Sequence, residues 1–117
     1  MKNYSAKELK NIVLIGAPGA GKTTLAEAMA FEGKVIDRRG SIENNNTISD
    51  NTDIEHEYKR SIYSTTLFTE FMDRKLNIID CPGSDDFCGS LFSAFKVGDV
   101  GVMVLNAQNG WEVGSEL

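Results

Sequence analysis

Cysteine and histidine are scarce: Cys81, Cys88 and His56 are the only such residues among 117. Their spacing makes no zinc site, and in a chain of cytosolic character the two cysteines read as free thiols rather than a disulfide. Long apolar runs are also missing. The longest are about five or six residues, against roughly 20 needed to cross a bilayer, and residues 1–10 are too polar for a signal segment. The expected location is therefore cytoplasmic. A positive balance is absent too: a formal net charge of −5 disfavours a protein that grips nucleic acid everywhere by phosphate neutralisation, DNA included, while leaving room for a local basic patch on RNA. Arg38-Arg39 and Lys59-Arg60 are basic pairs of that kind, although such pairs ordinarily mean only solvation.

What remains is the composition of one ordinary globular domain, 41% hydrophobic and 25% charged, with no repeat and no interdomain linker. Residues 11–15, Asn-Ile-Val-Leu-Ile, form an apolar run without alternation, as in a strand buried on both faces. It runs straight into Gly16-Ala17-Pro18-Gly19-Ala20-Gly21. Residues 22–31 are good helix formers, with Leu25, Ala26, Ala28, Met29 and Ala30 making a face small enough to pack on a sheet. Residues 33–60, with Asn44-Asn45-Asn46 and several acids, lack an apolar period and predict a long loop with at most short helical pieces. His56 within it reads as solvated rather than as a base.

Residues 62–71 and 76–79, around a turn at Asp73-Arg74, predict an antiparallel hairpin that breaks at Asp80-Cys81-Pro82-Gly83. Residues 90–97 carry Leu91, Phe92, Ala94 and Phe95 at helical spacing, and Phe87, Phe92 and Phe95 are expected to pack inward. Residues 100–105 predict a further buried-type strand. Strands alternating with helices make the fold class α/β, a mainly parallel sheet with an antiparallel edge hairpin.

Gly16-x-x-x-x-Gly21-Lys22-Thr23, between a strand and a helix, fits the phosphate-binding loop (P-loop) of nucleotide-binding proteins. The glycines let the backbone wrap a β-phosphate, and the N–H groups and helix N-terminus offer positive potential. Lys22 reaches the β- and γ-phosphates, and the Thr23 hydroxyl ligates Mg²⁺. Residues 16–24, through Thr24, are thus the candidate nucleotide contacts. Asp80 is the expected acidic partner of the metal, directly or through water. Gly83 stands where a backbone N–H could meet the γ-phosphate and where a peptide can reorient.

Asn77-Ile78-Ile79-Asp80-Cys81-Pro82-Gly83 followed by Asp86-Phe87 resembles the Asp-x-Pro-Gly element of translational GTPases. Asn11-Ile12, residues 21–28, Arg39-Gly40-Ser41-Ile42-Glu43, residues 46–50 and residues 100–110 also resemble elongation factor G and its paralogues, so the likeness covers nearly the whole chain. It implies a Ras-like P-loop GTPase fold that is incomplete in this chain, with residues 1–117 as the N-terminal part of a GTP-binding domain. Residues of about 33–61 would be the first switch and of about 80–89 the second. GTP and Mg²⁺ are the implied ligands, and the ribosome the implied partner of a longer parent. No Asn-Lys-x-Asp base-recognition element follows Asn106, so guanine specificity comes from resemblance alone. An isolated chain of this length is expected to bind nucleotide weakly and to self-associate through an uncovered sheet edge.

Three departures bear on catalysis. Ser84 follows Pro-Gly where the family usually has a histidine that orients water, and a serine is no equivalent imidazole. Gly19 replaces an acidic residue common in that loop. Counting back from Asp80 without a gap puts Ser61 at the first-switch threonine, a smaller hydroxyl for Mg²⁺; a gap would nominate Tyr63 instead, and Ser61 would be an ordinary polar residue at a strand start. These departures imply weakened GTP hydrolysis, with Lys22 and Ser84 the residues that bear on the rate. The alternatives are a ribosome-binding factor that does not hydrolyse GTP, and a small-molecule kinase, since Gly-x-Pro-Gly-x-Gly-Lys also opens adenylate kinases. The hairpin leading into Asp80 argues against the kinase.

Overall fold

The computed structural model describes residues 2–49, 52–58, 63–83 and 88–111. The elements run β1 (Leu9–Ile15), α1 (Lys22–Glu32), α2 (Asp53–Tyr58), β2 (Thr65–Phe71), β3 (Arg74–Asp80), α3 (Cys88–Val97) and β4 (Val100–Met103). They build one sheet in the order β2-β3-β1-β4. β1 lies parallel to both β3 and β4, and β2 is antiparallel to β3. The expected α/β sheet with its antiparallel edge hairpin is what forms.

The unalternating run in β1 serves two faces. Leu14, with Ile78 and Leu67, packs on Ala26 and Ala30 of α1, while Val13 and Ile79 pack on Ala94 of α3. Small residues on each helix allow close approach, as dense packing on a sheet requires. Two polar residues inside the sheet fix its lower end. The Asn11 side chain donates to Val97 O (2.8 Å) and accepts from Asn77 Nδ2 (2.8 Å), and its backbone N–H donates to the Asp99 carboxylate (2.8 Å). Together these bonds tie the end of α3 to the start of β1.

Several expected boundaries move. β1 begins at Leu9, two residues early, and α3 at Cys88; β4 ends at Met103. β2 is described from Thr65, Ile62 lying outside the described residues. The hairpin turns at Met72 and Asp73, not Asp73 and Arg74, because Phe71 pairs with Arg74. The expectation that Phe92 and Phe95 are core is wrong: they are 63% and 46% exposed. The chain just after α3 lies close to the sheet, where a Cβ on Gly98 would lie 2.6 Å from Val13 Cγ2. Leu91 and Ala94 face inward instead, and Phe87 lies outside the described residues. β4 is likewise no buried strand. It forms an edge, and Val100, Met103, Leu105 and Trp111 are exposed.

Met72 and Asp73 have φ of 49° and 59°, the left-handed pair that a two-residue hairpin loop of type I′ demands and that asparagine or glycine fills best. A methionine there carries a left-handed penalty of about 1 kcal/mol. Met72→Asn should therefore stabilise the protein by about 0.5–1 kcal/mol, seen as a higher urea midpoint with an unchanged m-value.

Candidate functional site

β1 and β3 run parallel with Leu14 opposite Asp80, so the loop that leaves β1 and the carboxylate that ends β3 emerge side by side at the carboxyl edge of the sheet. This is where open α/β sheets place ligands. Gly16, at φ 149°, passes so close to the chain after β4 that a Cβ would lie 2.3 Å from Val104 O. Pro18 and Gly19 form the exposed tip of the loop and Ala20 is half-buried. Gly21 then caps α1 at φ 103° with no side-chain hydrogen bond to the cap, and the first turn has no acidic residue. An uncapped, acid-free helix start presents positive potential to an anion.

Lys22 is buried, and its Nζ donates to Gly16 O (2.8 Å) and Ala17 O (2.9 Å). The amine therefore lies within the loop, not in solvent. Gly83 closes on it from the other side: a Cβ at that position would lie 2.5 Å from both Lys22 Nζ and Gly16 O. Only a glycine fits between them. Thr24, next along the helix, is exposed.

Asp80 is fully buried. Its Oδ2 accepts from Thr23 Oγ1 (2.6 Å) and from Ser49 Oγ (2.6 Å). Burial raises its pKa, outweighing those two hydrogen bonds and the Lys22 charge, while Glu55 adds a repulsion that pushes the same way. Oδ1, equally buried, has no hydrogen-bond partner among the described residues. Among the described residues no three histidine, cysteine or acidic side chains cluster. One orphaned carboxylate oxygen beside two hydroxyls suits a hard cation that completes its shell with phosphate and water, as Mg²⁺ does.

Lys22, Thr23, Asp80, Gly83 and Gly16 thus lie together. Ser61 and Ser84 lie outside the described residues. Three further residues, Ser49, Glu27 and Glu55, belong to this arrangement. Ser49 reaches Asp80. Glu27, 1% exposed, accepts from Gly40 N (2.7 Å) and Ile48 N (3.1 Å). Glu55 closes a capping box with Thr52, accepting from its N–H (3.1 Å) and hydroxyl (2.8 Å), and Thr52-x-x-Glu55 was a legible signal for it. The thiol of Cys81 is buried and its pKa raised by that burial, consistent with an inert free cysteine.

Residues 7–116 match the family described as elongation factor Tu GTP binding domain. The chain is 34% identical over 102 residues to an elongation factor G-like protein of Mycobacterium tuberculosis, covering 87% of this chain and 14% of that protein. It is 33% identical over 116 residues to the mitochondrial ribosome-releasing factor 2 of Candida dubliniensis, covering 99% of this chain and 14% of that protein. A crystal structure of a Thermus thermophilus protein superposes with a TM-score of 0.88 at 29% identity, covering 92% of this chain and 16% of the other. The chain therefore spans about one-seventh of the length of these relatives.

Because the folded pKa of Asp80 is raised, its favourable contribution is complete below the ordinary carboxylate pKa and is lost as pH rises through the folded value. At neutral pH without metal the ionised carboxylate is a liability. Asp80→Asn should stabilise the metal-free protein at pH 7 by roughly 1 kcal/mol in urea denaturation with EDTA. The gain should shrink as the pH falls and the parent's Asp80 protonates.

Proposed function

The chain belongs to the elongation factor Tu GTP-binding domain family, and from that premise we propose that the whole protein is a GTP-binding translation factor acting on the ribosome, with slow GTP hydrolysis. The observation that carries this reading is the convergence of the phosphate loop on Asp80, with Thr23 bonded to it at 2.6 Å and Lys22 and Gly83 in contact range beside it. The names of the relatives, an elongation factor G-like protein and a ribosome-releasing factor, supply the setting. Guanine as the base, the ribosome as the partner and the cytoplasm as the location rest on family membership. Among the described residues no helix is long and apolar enough to cross a membrane.

In this proposal residues 16–24 would hold the phosphates, and the Lys22 amine, which here donates to Gly16 O and Ala17 O, would serve the β- and γ-oxygens. Thr23 and Asp80 would hold Mg²⁺. When bound, the ion neutralises phosphate charge and orients the γ-phosphate. Gly83 would offer its N–H to the γ-phosphate, and residues of about 33–61 and about 80–89 would act as the two switches.

Ser84 lacks the imidazole that would orient the attacking water, and Gly19 lacks an acidic side chain near the γ-phosphate. Both substitutions favour slow hydrolysis, and they equally favour a second reading, a ribosome-binding factor for which GTP is a structural ligand. The exposed edge strand β4 and its apolar residues would lead an isolated chain of this length to self-associate.

Ribosome-stimulated GTP hydrolysis by the full-length protein separates these possibilities. The parent should be about 10²- to 10⁴-fold slower than a Ser84→His variant. A parent already as fast as the variant would sink the slow-hydrolysis proposal, and a variant that stays inactive would favour the structural-ligand reading.

A further inference from the structure

We propose that Ser49 is the oxygen that the first loop contributes to the cation site, joining Thr23 and Asp80 in holding Mg²⁺, with buried Glu27 as its positioning residue. The inference rests on the nucleotide-binding reading above and assigns a residue that counting back from Asp80 did not nominate.

Ser49 is 1% exposed and its hydroxyl lies 2.6 Å from Asp80 Oδ2, the same oxygen that Thr23 reaches at 2.6 Å. Two hydroxyls and a carboxylate from three separate segments thus meet at one point, beside the orphaned Oδ1. A hard cation prefers such oxygens, and the hydroxyl protons can turn away to leave lone pairs facing it.

The placement of Ser49 is built, not incidental. Glu27 lies four residues after Thr23 on α1, hence on the same helix face. Its two oxygens take the N–H groups of Gly40 and Ile48, one at each end of residues 40–48. Within that span Asn46 Oδ1 accepts from Ser41 N (2.7 Å). On the other side of Ser49, its carbonyl accepts from Thr65 Oγ1 (3.0 Å). A carboxylate buried on the phosphate-binding helix therefore sets the register of the loop, and the next residue after its anchor is the one that reaches Asp80. Tyr63, the other residue a count could nominate, is 55% exposed, and its backbone N–H is taken by Glu55 (3.2 Å).

The test is release of a fluorescent GTP analogue from the full-length protein across a titration of free Mg²⁺, compared with release in EDTA. Ser49→Ala should raise the Mg²⁺ concentration for half-maximal retention about tenfold while leaving release in EDTA unchanged. Ser49→Thr should stay within about twofold of the parent, and Ser61→Ala should have no effect. Ser49→Cys provides an independent check, because a thiolate favours a softer ion: retention should recover with Cd²⁺ in preference to Mg²⁺. An unchanged midpoint in Ser49→Ala, an equal shift in EDTA, or a shift carried by Ser61→Ala would each overturn the assignment. A parent whose nucleotide retention ignores Mg²⁺ altogether would instead overturn the nucleotide-site reading beneath it.

Discussion

A carboxylate buried at the end of a central strand has to be compensated, and the structure around Asp80 does so in part. An ionised group without water costs several kcal/mol unless hydrogen bonds and counter-charge meet it. Thr23 comes from the helix after the phosphate loop, Ser49 from the long connection that follows, and the Lys22 charge from the first residue of that same helix. The register of β1 on β3 makes this possible by setting Leu14 against Asp80. A slip of one residue would turn Asp80 toward the opposite face of the sheet, where Ile79 now packs on Ala94.

The parts of the molecule that were legible in the sequence are those dictated by local pattern. The apolar run of β1, the glycine spacing and the good helix formers after it fixed strand, loop and helix, and with them the place of Lys22 and Thr23. Asp80 was legible because a strand ends on it before Pro-Gly. Phe92 and Phe95 were misread because helical spacing alone cannot tell which of two adjacent apolar stripes meets the sheet. That is decided by how closely the helix approaches, and here Gly98 and Ala94 bring it near.

Ser49 and Glu27 were invisible for a different reason. Their roles depend on contacts across 31 and 13 residues of chain respectively, and neither type of residue signals such a contact by itself. A glutamate on α1 reads as a solvent-facing helix former until the loop folds over it. The Thr52-x-x-Glu55 box, by contrast, was available to a local reading, since its reach is three residues. Long polar loops hide their order in pairings that no periodicity reports.

Cys81 lies directly after the buried carboxylate, itself only 1% exposed, so a thiol-directed reagent can reach it only when the end of β3 parts from its neighbours. Its modification rate is accordingly a clock for those openings, set by the free energy of local unfolding. The natural sequence thus carries its own timer one peptide bond away from the group on which the site is built.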